Sequence, residues 1–255
     1  MRASLLRPVV AVARFARAEL VVVAALGLLT LCIMGFMELA DDVAEADTRA
    51  FDQAILDSVR APGDPSDPIG PHWLEIAMAD VTALGAVAVL GIVALVVAGF
   101  LFIQRRPLAG VTLLTALLGG VAMSQSLKLL FGRERPPLPY QAAEAVNASF
   151  PSGHAMLSAV AYLTIGAIVA KALPRRRLKT YVMTVAVLLT LIVGLSRVYL
   201  GVHWASDVLG GWMVGAAWAA ACWLAAWAIE RWQGREGMSR PQPVAHPAAA
   251  AAEAD

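Results

Sequence analysis

The chain of 255 residues is 59% hydrophobic and 15% charged, with a formal net charge of +1 and a mean hydropathy of +0.68. Soluble domains run at about 45–50% apolar and about 25% charged residues, so this composition excludes an ordinary soluble fold. The near-neutral charge leaves no electrostatic case for a nucleic-acid partner.

The apolar residues fall in blocks of roughly 20, about the length a helix needs to cross a bilayer core. An all-α, polytopic membrane protein is expected, a bundle of six transmembrane helices. In chain order the blocks are 19–39, 81–103, 108–127, 155–173, 180–196 and 207–229, separated by polar or proline-bearing breaks such as Gln104-Arg105-Arg106-Pro107. The first follows Arg2, Arg7, Arg14 and Arg17, as a signal peptide would, but it is long and lacks a small-residue cleavage site. It reads as a retained span.

Between the first two blocks, the segment from Asp41 to Trp73 is acidic and irregular. Phe51, Ile55 and Val59 recur every fourth residue and predict a short amphipathic helix on the membrane surface, a spacer or else a lid or lipid-guiding element. Asp64-Pro65-Ser66-Asp67-Pro68 then breaks it. Residues 1–237 form one membrane domain on this reading, and the proline- and alanine-rich residues 238–255 a disordered cytoplasmic tail. Cys32 and Cys222 lie within apolar blocks without metal-ligand spacing, as packed or lipid-facing residues. Trp73 and Trp204 fit an outer aromatic belt and Trp232 an inner one.

Lysine and arginine placement sets the orientation. With the N-terminus in the cytoplasm, fourteen of the twenty fall on the cytoplasmic side, including Lys171, Arg175, Arg176, Arg177 and Lys179 in one loop. Of the other six, Lys128, Arg133, Arg135 and Arg197 sit just beyond the third and fifth spans. The orienting rule gives no reason for them there.

They belong to three clusters at the outer ends of the last four spans: Lys128-x6-Arg135-Pro136, Pro151-Ser152-Gly153-His154, and Ser196-Arg197-x5-His203-x3-Asp207. Singly, a cation at a helix end is usually a snorkelling anchor. Together, three cations around two histidines and a carboxylate describe an anion site with acid–base or nucleophilic machinery. His203 and Asp207 are four apart, a helical spacing at which a carboxylate holds an imidazole. Ser152 and Gly153 precede a helix whose N-terminus favours an anion. Arginine forks match phosphate oxygens, so the natural ligand is a phosphoryl group. Arg133 and Glu134 read as a local charge pair, and Asn147-Ala148-Ser149 as a chance glycosylation sequon.

The three clusters resemble the tripartite signature of the type 2 phosphatidic acid phosphatase superfamily, whose members include bacterial lipid phosphatases and, more distantly, vanadium haloperoxidases. The resemblance covers residues 128–207 with every signature position filled. It implies a metal-independent phosphatase without a cofactor. His203 would be the nucleophile that forms a phosphohistidine and Asp207 its orienting carboxylate. His154 would be the acid for the leaving group and then the base for water. Lys128, Arg135, Ser152, Gly153 and Arg197 would hold the phosphate.

A site level with the headgroups, with only residues 137–150 between the first two motifs, suits a lipid phosphate. Undecaprenyl pyrophosphate, phosphatidic acid or phosphatidylglycerol phosphate, and lipid A are the substrates the resemblance suggests, the polyprenyl pyrophosphate slightly first. The alternatives are a lipid-to-lipid phosphotransferase using the same residues and, remotely, an anion transporter, although transporters place their sites nearer the midplane. The positive-inside pattern and short loops point to a bacterial inner membrane, with the site facing the periplasm.

Overall fold

The structure is a computed structural model and describes residues 2–141 and 147–239. Eight α-helices account for most of it: α1 (Arg2–Glu45), α2 (Arg49–Ser58), α3 (His72–Ala83), α4 (Val87–Ile103), α5 (Pro107–Phe131), α6 (Gly153–Ala172), α7 (Arg176–Tyr199) and α8 (Ala205–Ser239). A two-stranded antiparallel ribbon, β1 (Arg60–Ala61) with β2 (Asp64–Pro68), lies between α2 and α3. The tail expected from residue 238 lies, beyond Ser239, outside the described residues.

Five stretches are long and apolar enough to cross a membrane: Glu19–Glu45, Pro107–Phe131, Gly153–Ala172, Arg176–Tyr199 and Ala205–Gln233. A sixth span forms if α3 and α4, bent by 50° at their junction, are taken together. Six spans were expected, but the second was expected as one unbroken block. The break has a packing cause. A Cβ on Gly85 would lie 2.4 Å from Cγ1 of Val193 and 3.2 Å from Cβ of His154. Only a glycine lets the chain cross α6 and α7 this closely.

Helices α6 and α8 occupy the centre, with 50% and 44% of their spanning windows buried, whereas α1 buries 6%. Backbone approach between α6 and α8 requires small residues. A Cβ on Gly215 would stand 2.4 Å from the Met156 carbonyl oxygen, and one on Gly211 2.7 Å from that of Ser152. Leu90 and Ala94 of α4 pack with Leu113 and Leu117 of α5 and Leu157 and Ala161 of α6. The outward faces, with Leu118 and Leu129 among them, remain exposed as lipid-facing surfaces do.

Alternation of helix direction brings the C-termini of α5 and α7 and the N-termini of α6 and α8 to one end of the bundle. At the other end Lys171 pairs with Glu230, and Arg231 bonds Glu19 at 2.7 Å.

Helix α2 forms, but with a different inner face from the one its apolar spacing suggests. Phe51 is exposed, and the buried side chains are Leu56 and Asp52. The helix is held by the Asp52 carboxylate pointing into the bundle, by buried Leu56, and by Ile55 packed against Ala155, Val198 and Val208.

Replacing Gly215 with alanine should overpack the α6–α8 contact and cost about 1–3 kcal/mol. A melting temperature in detergent equal to that of the parent would show that the two helices are not in backbone contact.

Candidate active site

Local structure delivers each side chain to the shared end. Helix α5 stops at Gly132, which takes a left-handed φ of +57° and donates its N–H to the Lys128 carbonyl. That stop leaves Lys128 on the last helical turn and turns Arg133–Pro136 across the end of the bundle. Phe150, fully buried, is gripped by Phe131 at 4.9 Å and Phe36 at 5.7 Å, centroid to centroid. This aromatic anchor fixes the segment that carries Ser149 and Ser152. Ser152 stands at the N-cap position of α6 without a side-chain capping bond, and its N–H donates to the Asp207 carbonyl at 2.9 Å.

The signature residues converge. His203 and Asp207 are both fully buried, with Nδ1 of His203 3.3 Å from Oδ2 of Asp207. An ionised carboxylate only accepts, so Nδ1 carries the proton and Nε2 presents its lone pair. Nε2 lies 3.2 Å from Nη1 of Arg135, which also donates to the Val202 carbonyl at 2.6 Å. Nζ of Lys128 donates to the Ala148 carbonyl at 2.9 Å. Nη1 of Arg197 donates to Oγ1 of Thr82 at 2.9 Å, a contact from α3 just before the bend. His154, on the first turn of α6, is close enough to feel the charges of Arg197, Lys128 and Arg135 and to couple with His203.

Among the described residues, three buried side-chain polar atoms have no hydrogen-bond partner, and two of them, Oγ of Ser152 and Nε of Arg197, belong to this cluster. Buried donors of this kind are costly unless a ligand engages them. With the first N–H groups of α6 they supply a set of donors at the His203 end of the bundle. Gly153 keeps this end open, since a Cβ there would come within 3.3 Å of Oγ of Ser124 and 3.8 Å of Cε of Lys128. The arrangement can hold a tetrahedral anion with its central atom in front of a neutral imidazole. Burial pushes the His203 imidazole down to about 4 against the opposing pull of Asp207, so the ring is neutral at ordinary pH. Burial likewise lowers the Arg135 guanidinium, which stays charged.

Arg133, Asp52, Ser149 and Trp204 take parts here that were not expected from the sequence. Arg133 does not pair with Glu134. Its Nη1 donates to Oδ1 of Asp207 at 2.6 Å and to Oγ of Ser206 at 2.7 Å, and its Nη2 donates to Oδ2 of Asp52 at 2.7 Å and Oγ1 of Thr48 at 3.0 Å. Asp52, from α2, accepts the Ser206 N–H at 2.9 Å. Ser149 donates its hydroxyl to Oδ2 of Asp207 and lies 3.3 Å from Nδ1 of His203. Trp204, expected as a belt residue, instead packs its ring 5.9 Å from the Arg133 guanidinium and bonds the Glu134 carbonyl through Nε1 at 3.0 Å. A third cation so near the first motif was the available signal for Arg133. Nothing in the chain's spacing ties Asp52 or Ser149 to Asp207.

Residues 109–231 match the PAP2 superfamily. Phosphatidylglycerophosphatase B of Bacillus subtilis is 35% identical over 144 residues, 56% of this chain and 70% of that protein. The chain belongs to the PAP2 superfamily. An undecaprenyl-diphosphatase of Sulfolobus acidocaldarius is 26% identical over 126 residues, 48% of this chain and 57% of that one. The crystal structure of a transmembrane PAP2-type phosphatidylglycerolphosphate phosphatase from Bacillus subtilis superimposes with a TM-score of 0.70 at 26% identity, covering 84% of this chain and 98% of that one. The chain is thus a multi-pass, membrane-embedded PAP2 phosphatase, a hydrolase of phosphoric monoesters or diphosphates.

Ser149→Ala removes a donor to the buried carboxylate and should lower kcat roughly tenfold, with KM within about threefold of the parent. Steady-state kinetics with equal kcat would show that Asp207 is held without the hydroxyl.

Proposed function

We propose that this PAP2 phosphatase hydrolyses a lipid phosphate or pyrophosphate at the extracytoplasmic face of a bacterial inner membrane, through a phosphohistidine on His203. The observation that carries the reading is the division of labour on one buried ring. Nδ1 of His203 is tied to Asp207, and Nε2 is turned to the cationic cradle beside Arg135. That is the arrangement a nucleophilic imidazole needs.

In the first step the Nε2 lone pair forms a bond to phosphorus as the bond to the leaving oxygen breaks, and His154 transfers its proton to that oxygen. In the second, water attacks the phosphohistidine and gives its proton to His154. The P–N bond breaks, and inorganic phosphate leaves with His203 neutral again. Asp207 stabilises the positive charge on the ring between the two steps. Lys128, Arg135 and Arg197, with Ser152 and the Gly153 N–H, meet the equatorial oxygens.

A lipid substrate is supported by the place of the site at helix ends in a bundle with wide apolar outer faces, and by the relatives whose names include phosphatidylglycerophosphatase and undecaprenyl-diphosphatase. Phosphatidylglycerol phosphate ranks first among the candidates because the relative with the greater identity and the superimposed structure both carry that activity in their names. This reverses the order suggested by the sequence alone. The distribution of lysine and arginine supports the extracytoplasmic orientation.

Phosphate release by purified protein in detergent, measured on phosphatidylglycerol phosphate and undecaprenyl pyrophosphate with EDTA present, tests the proposal. Release should persist in EDTA and fall by several orders of magnitude in His203→Ala, with the variant still folded. Activity within tenfold of the parent would remove His203 as nucleophile, and loss of activity to EDTA would remove the metal-independent route.

The pH profile offers a separate check. A ring whose pKa lies below its ordinary 6.5 stays unprotonated until the pH falls through the lowered value, so the acid limb of kcat/KM set by His203 should fall near pH 4. A limb at 6.5 would mean that the ring is solvated in the working enzyme.

A further inference from the structure

The geometry points to Asp52 and Arg133 as positioning residues that hold the catalytic carboxylate, so that the short helix α2 is part of the catalytic apparatus. This inference rests on the reading of His203 as nucleophile and Asp207 as its partner.

Asp207 has no exposure to solvent, and each of its oxygens is spoken for. Oδ2 receives the Ser149 hydroxyl, the Trp204 N–H at 2.9 Å and the imidazole. For Oδ1 the only donor among the described residues is Arg133, at 2.6 Å. That bond fixes the plane of the carboxylate and leaves Oδ2 aimed at the ring. Arg133 alone would also draw negative charge away from His203. Asp52 answers this from the far side of the same guanidinium, at 2.7 Å, so Arg133 and Asp52 together are neutral and Asp207 keeps its full charge for the imidazole.

Asp52 further accepts both the N–H and the hydroxyl of Ser206, at 2.9 and 2.6 Å. It thereby caps the first turn of α8, one residue before Asp207, from a different helix. Arg133, Asp52, Ser206 and Asp207 close into a single network that joins α2, the first motif and α8. A fastener of structural value alone would not need its two carboxylates on one fork, with one of them holding the ring.

The charged groups around His203 are Asp207 from α8, Arg197 from α7 and Arg135 from the first motif, with His154 of α6 coupled across the site and Lys128 of α5 beside it. Against that fixed background, charge removed from either member of the clamp should move the His203 limb in opposite directions. In Asp52→Asn, Arg133 is uncompensated, and the acid limb of kcat/KM should move down by about 1 pH unit. In Arg133→Met a positive charge is lost, and the limb should move up by a similar amount. The double variant restores neutrality, so its limb should return to the parent position while kcat stays low. Each should lower kcat roughly 10–100-fold, with KM within about threefold because neither side chain reaches the phosphate cradle.

The variants are compared as full-length protein in detergent, with gel-filtration profile and melting temperature as the measure of folding. Asn keeps the shape of Asp52 and an acceptor for the Ser206 N–H, so Asp52→Asn carries the test if Arg133→Met does not fold. Arg133→Lys then takes its place: it keeps the charge but not the fork, and should lower kcat without moving the limb. Asp52→Asn with kcat within threefold of the parent, or limbs that move together or not at all, would overturn the clamp. His203→Ala is run alongside. An inactive His203→Ala beside an unaffected Asp52→Asn rejects the clamp alone, whereas an active His203→Ala rejects the nucleophile itself.

Discussion

Everything at the active end of this molecule is arranged around one ionised carboxylate kept away from water. A buried charge is tolerated only when its oxygens are fully bonded and its field is answered. Asp207 meets that condition with donors from Arg133, Ser149, the Trp204 backbone and His203. Those donors come from the segment after α5, the segment before α6 and the turn into α8, which is why these connections cannot be free loops. The left-handed Gly132 and the buried Phe150 are local consequences of the same demand. One ends a helix so that Arg133 can turn back; the other pins the strip that carries Ser149.

The opposite balance holds on the other face of the imidazole. Lys128, Arg135 and Arg197 crowd around His154, and Asp207 is the carboxylate whose field reaches Lys128 and Arg135. Repulsion of this kind is stable only if a polyanion is the normal occupant, and the unpartnered Ser152 hydroxyl and Arg197 Nε face the same requirement. Donors in this number suit a phosphoryl group. These donors meet where helix ends come together, and the large apolar flanks of the bundle are left for the bilayer.

Much of this was legible in the sequence because a bilayer simplifies the code: length and hydropathy locate the last four spans within a few residues, while the first runs on to Glu45 and the second begins earlier, at His72. The bend at Gly85 was not legible, since it arises from the approach of Val193 and His154, which only the packed structure brings there. The signature residues were legible as types at fixed spacing, and the structure brings Lys128, Arg135, His154, Arg197, His203 and Asp207 into one cluster. Helix α2 was found and Ile55 does pack inward, but Phe51 is exposed and the part played by Asp52 was missed. The period-four pattern of Phe51, Ile55 and Val59 was given weight, while Asp52 looked like one more acidic residue in an acidic segment. Burial of a carboxylate depends on a partner eighty-one positions away, a relation that local periodicity cannot carry.

That long-range pairing also explains why the outer segment is fastened by charge. An apolar stripe against lipid would let α2 slide and rotate, because lipid tails offer no fixed register. A bidentate guanidinium accepts carboxylates only in its own plane and at set distances, so α2 has one position relative to α8. Arg60 repeats the device further along the same segment, donating to the carbonyls of Tyr140 at 2.7 Å and Tyr199 at 2.9 Å. It crosses above Gly201, where a Cβ would lie 1.9 Å from the Tyr140 carbonyl oxygen. Two arginines, Arg133 and Arg60, thus fasten a segment with few buried apolar residues over the turn that bears His203. Rigidity there sets the direction of the ring, because the 3.3 Å contacts of its Nδ1 with Asp207 and Ser149 and the 3.2 Å approach of Arg135 to its Nε2 persist only if the backbone on both sides is fixed.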